Sequence, residues 1–212
     1  SLIASKSANG LFHKAIAMSG YTTSISPESA YKQDKDSATS DYTSWEVVNN
    51  IIQDDQQNLG KEEIRDILLN MSAENFFKIY VERESYQELP LLTSDGIVIP
   101  SIGLRESLQN KDFVNNVPLI AGSNADEVKL WLATAEYFVE LEYSFIGSIL
   151  GIPRVVLTNE DAFEAFNYYR SAAWKIRGVD DPLHSLAKAG NNKLYSYRFD
   201  WDDHRRHIVG DF

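Results

Sequence analysis

The sequence predicts a helix-rich α/β fold, and three observations carry the prediction. Apolar residues recur at helical spacing through residues 45–59, 62–70, 72–84 and 159–174. Three short apolar runs, within residues 11–18, 117–121 and 194–199, read as strands set far apart in the chain. Between the second and third lies the junction Val117-Pro118-Leu119-Ile120-Ala121-Gly122-Ser123-Asn124-Ala125-Asp126-Glu127. It has the pattern of a buried strand that breaks at a glycine turn and delivers two acids onto the start of a helix. Three strands make a poor sheet alone, so either the domain is unusual or strands lie outside this chain.

The elements follow in order. Residues 1–20 read as a helix end, a turn at Asn9-Gly10, and a buried strand closing at Ser19-Gly20; Leu11, Phe12, Ala15, Ile16, Ala17 and Met18 are its apolar residues, and His13 is expected to pack among them. Residues 22–43 are rich in Ser, Thr, Asp and Lys and predict a surface loop. Residues 45–59 predict a helix with Trp45, Val48, Ile51 and Ile52 on one face. Two further helices are expected over 62–70 and 72–84, the second capped by Ser72 with Phe76, Phe77, Ile79 and Tyr80 inward. The cap also accounts for the glycosylation-like spelling Asn70-Met71-Ser72. Asp95-Gly96-Ile97-Val98-Ile99-Pro100 reads as a turn and extended piece, followed by a short helix over 101–111. After the 117–121 strand a helix is expected over about 125–138, through Leu130, Trp131 and Ala135. Asn159 caps a helix carrying Phe163, Phe166, Tyr169 and Trp174. Asp181-Pro182 starts another that Gly190 ends. Residues 194–199 alternate as the last strand.

Composition narrows the function. The 212 residues are 43% hydrophobic, enough for one large domain or two small ones. A net charge of −11 argues against nucleic acid and against anionic membrane surfaces, both of which are bound through clustered Lys and Arg. The absence of cysteine excludes disulfides and thiolate metal sites. The longest apolar run without charge, 143–153, is too short to span a membrane. Neither compartment nor oligomeric state is assigned by any of these features.

Four landmarks, in order along the chain, resemble the type-B carboxylesterases, the family of bacterial para-nitrobenzyl esterases and cholinesterases. The stretch Gly10-Leu11-Phe12-His13-Lys14-Ala15-Ile16-Ala17-Met18-Ser19-Gly20 resembles the segment that follows the family's nucleophile elbow. Asp95-Gly96 with Pro100 resembles its mid-chain signature, and residues 117–127 resemble the strand and turn that carry its catalytic acid. Tyr195-Ser196-Tyr197-Arg198-Phe199-Asp200-Trp201-Asp202-Asp203 resembles the strand shortly before its catalytic histidine. The resemblance implies a partial α/β-hydrolase fold, with residues 1–212 a fragment of a single carboxylesterase-type domain. In that family the triad runs Ser, then Asp or Glu, then His. The elbow serine is then expected before Ser1 and the histidine after Phe212, so the nucleophile and base are expected to be absent from this chain.

The resemblance makes Glu127 the triad acid, whose carboxylate accepts the imidazole N–H and stabilises the imidazolium. Without it, an acid in a first helical turn reads as a partner for the helix dipole. Ser19 is implied to hydrogen-bond that acid, against the plainer reading of an ordinary strand-end turn, and the adjacent Asp126 reads as structural support. The implied activity is hydrolysis of a small carboxylic ester by acyl transfer, with no metal or organic cofactor, and with the fragment alone inert. A catalytically inactive, adhesion-type relative and a self-contained helical binding module are the alternatives. His204 and His207 form an HxxH pair with no acid or thiol pattern to complete a metal site, and read as a solvated loop. His184 reads as exposed. Trp131, Phe138, Tyr143, Phe145 and Ile149 are candidates for an acyl or alcohol pocket, although aromatic stripes more often form core. Two departures stand out: Val128 replaces a glycine common after the family's acid, and Tyr21-Thr22-Thr23-Ser24-Ile25 gives no basis for carrying over an acyl-chain preference.

Overall fold

The computed structural model describes residues 1–31, 44, 48, 51, 59–81, 92–151 and 153–200. The helix expected over 45–59 lies almost wholly outside the described residues, as do His204 and His207. The strands are β1 (Ala15–Met18), β2 (Ser24–Ile25), β3 (Leu92–Thr93), β4 (Leu119–Asn124), β5 (Val139–Glu142), β6 (Arg154–Leu157) and β7 (Leu194–Phe199). The chain divides into two compact units, one of residues 1–7 and 23–107, the other of 8–22 and 108–212.

The second unit is built on a parallel sheet of order β1-β4-β7. Ala15 pairs with Leu119 and Met18 with Gly122; Leu119 pairs with Leu194 and Asn124 with Phe199. Side chains alternate across a strand, so Leu119, Ala121 and Ser123 share one face, and all three are buried. The opposite face carries Ile16, Met18, Tyr195 and Phe199, all exposed. The predicted first strand therefore exists but is covered on one side only. Gly122 sits where the Tyr197 ring crosses β4: a Cβ there would stand 2.3 Å from Tyr197 Cδ1. Only a residue without a side chain admits that ring.

The helix Glu160–Lys175 starts as its sequence dictates. Asn159 Oδ1 accepts from Ala162 N at 3.0 Å, Glu160 and Asp161 face the positive helix end, and Lys175 lies in the last turn. Phe163, Asn167 and Ser171, four residues apart, form its buried stripe. The helix does not stop before Asp181-Pro182. It passes through a π-helical turn, Ile176–Asp180, directly into the helix Asp181–Lys188. Proline has no N–H to donate to the preceding turn, and a wider turn at that point accommodates the missing bond. Gly190, at φ +96, follows the helix end.

A hydrophobic cluster of Val128, Leu132, Phe138, Val139 and Phe163 packs beside the antiparallel pair β5–β6. Phe163 is fully buried and meets Phe138 edge-on at a centroid distance of 6.0 Å. Burying such a side chain contributes about 1.5–3 kcal/mol. This cluster replaces much of the long helix expected over 125–138: residues 125–128 are a turn, the helix is only Lys129–Leu132, and β5 follows. Of the proposed pocket residues, Phe138 is core, while Trp131, Tyr143, Phe145 and Ile149 are exposed. His13 is exposed rather than packed; Phe166 meets Phe138 at a centroid distance of 5.4 Å but stays partly exposed, and Tyr169 is exposed.

In the first unit β2 and β3 pair in parallel. Ser94 ties them further, its N and Oγ both donating to Ile25 O at 2.8 Å. Asp95 Oδ1 then accepts from the backbone N–H groups of Ile97, Val98 and Ile99 at 2.9–3.1 Å. These bonds, Ile97 first and then Ile99 and Val98, hold the Asp95 carboxyl below its ordinary pKa. The helices Lys61–Asn70 and Ala73–Val81 match the two expected, and Ser72 Oγ caps the second by accepting from Asn75 N at 3.2 Å. Phe77 is exposed rather than inward. The helix expected over 101–111 is confined to Leu104–Ser107.

Candidate active site

Strand β4 runs through the glycine rather than ending at it, and Asn124 is its last residue. The turn that follows places Glu127 just beyond the carboxyl end of the central parallel strand, where α/β sheets build their sites. Glu127 is half-buried. Its Oε1 accepts from Ser19 Oγ at 2.5 Å and from Asn124 N at 2.7 Å, and its Oε2 accepts from Asn124 Nδ2 at 3.2 Å. Each carboxylate oxygen accepts about two bonds, so among the described residues Oε1 is filled and Oε2 retains room for one more donor.

Ser19 reaches Glu127 from the end of β1, which lies beside β4 in the sheet. Its backbone has φ +52, the left-handed region that serine adopts at a cost. Three hydrogen bonds hold it there: Ser19 N donates to Gly122 O at 2.8 Å, the hydroxyl to Glu127, and Trp174 Nε1 donates to Ser19 O at 3.3 Å.

Asp126 turns the other way. Its Oδ1 accepts from Asn167 Nδ2 at 2.6 Å, Asn167 Oδ1 accepts from Ser171 Oγ at 3.1 Å, and Ser171 Oγ accepts from Val128 N at 3.4 Å. The residues on either side of Glu127 are thereby tied to the helix Glu160–Lys175. Asn167 and Ser171 were not singled out from sequence, although two polar residues at helical spacing from Phe163 are the signal that marks them. Arg198 makes a two-pronged pair with Asp200, Nε to Oδ1 at 2.5 Å and Nη2 to Oδ2 at 2.6 Å. That pairing raises the Arg198 pKa and lowers that of Asp200.

The site thus holds an immobilised, half-buried carboxylate with free acceptor capacity. It can orient and charge-stabilise a donor such as an imidazole; it contains no activated nucleophile among the described residues. Among those residues no group of three or more His, Asp or Glu is placed to hold a metal ion, and no helix is long and apolar enough to cross a membrane. His184 is exposed, away from any such cluster.

The chain is similar in fold to solved esterases. Two PNB esterase structures match with TM-scores of 0.56 and 0.53, each at 19% identity, over 97% of this chain. A carboxylesterase from Geobacillus stearothermophilus matches with a TM-score of 0.55 at 20% identity, over 96% of this chain. The chain spans 40–42% of the length of these three proteins. At this level of identity the likeness is one of fold alone, that of part of an α/β-hydrolase-like fold with a small parallel sheet. No protein-family model and no curated protein sequence matches.

Proposed function

We propose that this chain is part of a carboxylic ester hydrolase in which Glu127 is the acidic member of a Ser-Glu-His triad. The observation that carries the reading is the Glu127 carboxylate itself. It is fixed at the end of the central strand by Ser19 and Asn124, with one acceptor position left on Oε2. The esterase fold of the structural neighbours supports the same assignment.

In this reading residues 1–212 form part of a single hydrolase domain, and the serine and histidine come from outside them. The serine attacks the ester carbonyl while histidine takes its proton. Glu127 holds the imidazole in the productive tautomer and stabilises the imidazolium, and histidine then protonates the leaving alcohol. Water deacylates the enzyme by the same route. No cofactor takes part. Ser19 and Asn124 keep the carboxylate aimed, and Asp126 anchors the turn through Asn167.

Labelling with a fluorophosphonate tests this reading. The full-length protein is expected to be phosphonylated on one serine outside residues 1–212, and the 212-residue chain alone to remain unlabelled. Absence of labelling at any serine of the full-length protein overturns the esterase reading in favour of an inactive relative. Labelling of Ser19 would give that residue a role the reading denies it.

A further inference from the structure

Residues 19–22 are gripped by one helical segment. Trp174 Nε1 donates to Ser19 O at 3.3 Å, and the Trp174 ring lies against Tyr21 at a centroid distance of 5.0 Å. Gly178 touches Gly20 so closely that a Cβ on Gly178 would stand 2.2 Å from the Gly20 carbonyl oxygen. Arg177 Nη1 donates to Tyr21 Oη at 3.2 Å, and Thr22 Oγ1 donates to Arg177 O at 3.5 Å. Trp174 lies in the last turn of the regular helix, and residues 177 and 178 belong to the π-helical turn. Single π turns inside helices recur at functional sites. This one meets Gly20, the residue after Ser19, which is the only non-glycine residue with positive φ among the described residues.

We propose that Trp174 and Gly178 are positioning residues that clamp Ser19 in its left-handed conformation and so aim its hydroxyl at Glu127. The inference rests on the acidic role of Glu127. Serine left to itself relaxes out of the left-handed region. Each contact of the clamp opposes that relaxation, one at the Ser19 carbonyl and one at the next residue. Loosening it turns the hydroxyl away from Oε1 and takes a donor off the carboxylate. The less solvated carboxylate raises the histidine pKa, so the histidine loses its proton at higher pH, while the carboxylate, no longer held by Ser19, loses its aim at the imidazole and kcat falls.

The test uses the full-length protein and p-nitrophenyl acetate. Trp174→Phe keeps an aromatic ring and removes the N–H; Gly178→Ala drives a methyl group into Gly20. Each is expected to lower kcat about tenfold with KM changed by less than about twofold, and to move the acid limb of the kcat/KM profile to higher pH. In a Ser19→Ala background both substitutions are expected to lose their effect, because they act through the Ser19 hydroxyl. Equal effects with and without that hydroxyl overturn the proposal, and so does an unmoved acid limb. Glu127→Gln, measured alongside, separates the two failures. If it leaves kcat intact, the role of Glu127 fails; if it abolishes turnover while the clamp variants behave as wild type, the clamp alone fails. Hydrogen exchange of the Trp174 indole N–H gives a readout independent of activity. Protection in the wild type that Gly178→Ala removes supports the clamp, and fast exchange in the wild type overturns it.

Discussion

Replacing Ser19 by alanine and by glycine separates its hydrogen bond from its backbone strain. Both substitutions delete the bond to Glu127, a charge-assisted contact that measures 2.5 Å. A hydrogen bond to a charged group contributes about 1.5–3 kcal/mol, and the half-exposed setting places this one toward ~1.5–2 kcal/mol. The two substitutions differ at φ +52. Alanine keeps the left-handed penalty of about 1–2 kcal/mol, and glycine removes it. Glycine also frees the unfolded chain, which offsets about 0.4–1 kcal/mol of that gain. Ser19→Ala is therefore expected to cost ~1.5–2 kcal/mol and Ser19→Gly to be ~0.5–1 kcal/mol less damaging. Equilibrium urea unfolding of the full-length protein at pH 7 measures both. A glycine variant as unstable as the alanine variant, or more so, would refute the strained-backbone account and with it the physical basis of the clamp.

Ser123 is 1% exposed and its hydroxyl finds no hydrogen-bond partner among the described residues. Ser123→Ala is expected to be neutral or to stabilise by up to ~1 kcal/mol in the same unfolding assay, because it removes an unsatisfied buried polar group; marked destabilisation would show that the hydroxyl is paired. Asp95 has a folded pKa depressed by the Ile97, Ile99 and Val98 amides. Its contribution to stability is present above its unfolded pKa and fades as pH falls from about 4 toward the lower folded value. Unfolding measured from pH 6 to pH 2 is expected to show a shallower acid loss in Asp95→Asn than in wild type, and parallel curves would contradict the assignment.

The landmarks legible in the sequence are those set by local chemistry. Asn159 and Ser72 cap helices because their side chains reach an N–H three residues on, a short-range rule. The runs within 11–18, 117–121 and 194–199 read as strands because each is a short apolar or alternating stretch bounded by turn residues. Their order, with β4 between β1 and β7, is a long-range outcome that no single run encodes. The helix expected over 125–138 failed for a related reason. Leu130, Trp131 and Ala135 fit a helical period, but Leu132, Phe138 and Val139 bury more against Phe163 as a short helix, a turn and a strand. Of the candidate-site residues, Glu127, Ser19 and Asp126 are singled out by the order of motifs in the sequence. Asn167, Ser171 and Trp174 are not, because each matters through a partner far away in the chain; Trp174 and Ser19 are 155 positions apart. The π turn was hidden as well, since Asp181-Pro182 has the spelling of a helix start.

The exposed apolar face of the sheet has a bearing on how these experiments are run. Ile16, Met18, Tyr195 and Phe199 lie on it, and contiguous apolar surface of that kind promotes association. In the proposed reading the rest of the hydrolase domain lies outside these residues, so measurements of turnover and stability belong on the full-length protein.

The most direct test of the central claim is turnover of p-nitrophenyl acetate by the full-length protein, wild type beside Glu127→Gln. Glutamine preserves the shape and, through its amide oxygen, the bonds from Ser19 Oγ and Asn124 N; its NH2 in place of Oε2 cannot accept from Asn124 Nδ2 or an imidazole N–H, and the charge that stabilises the imidazolium is gone. The account predicts a fall in kcat of about 10⁴-fold, as for neutralising the acid of such a triad, with the fold unchanged by circular dichroism. Equal turnover by the two proteins would show that Glu127 is not the catalytic acid.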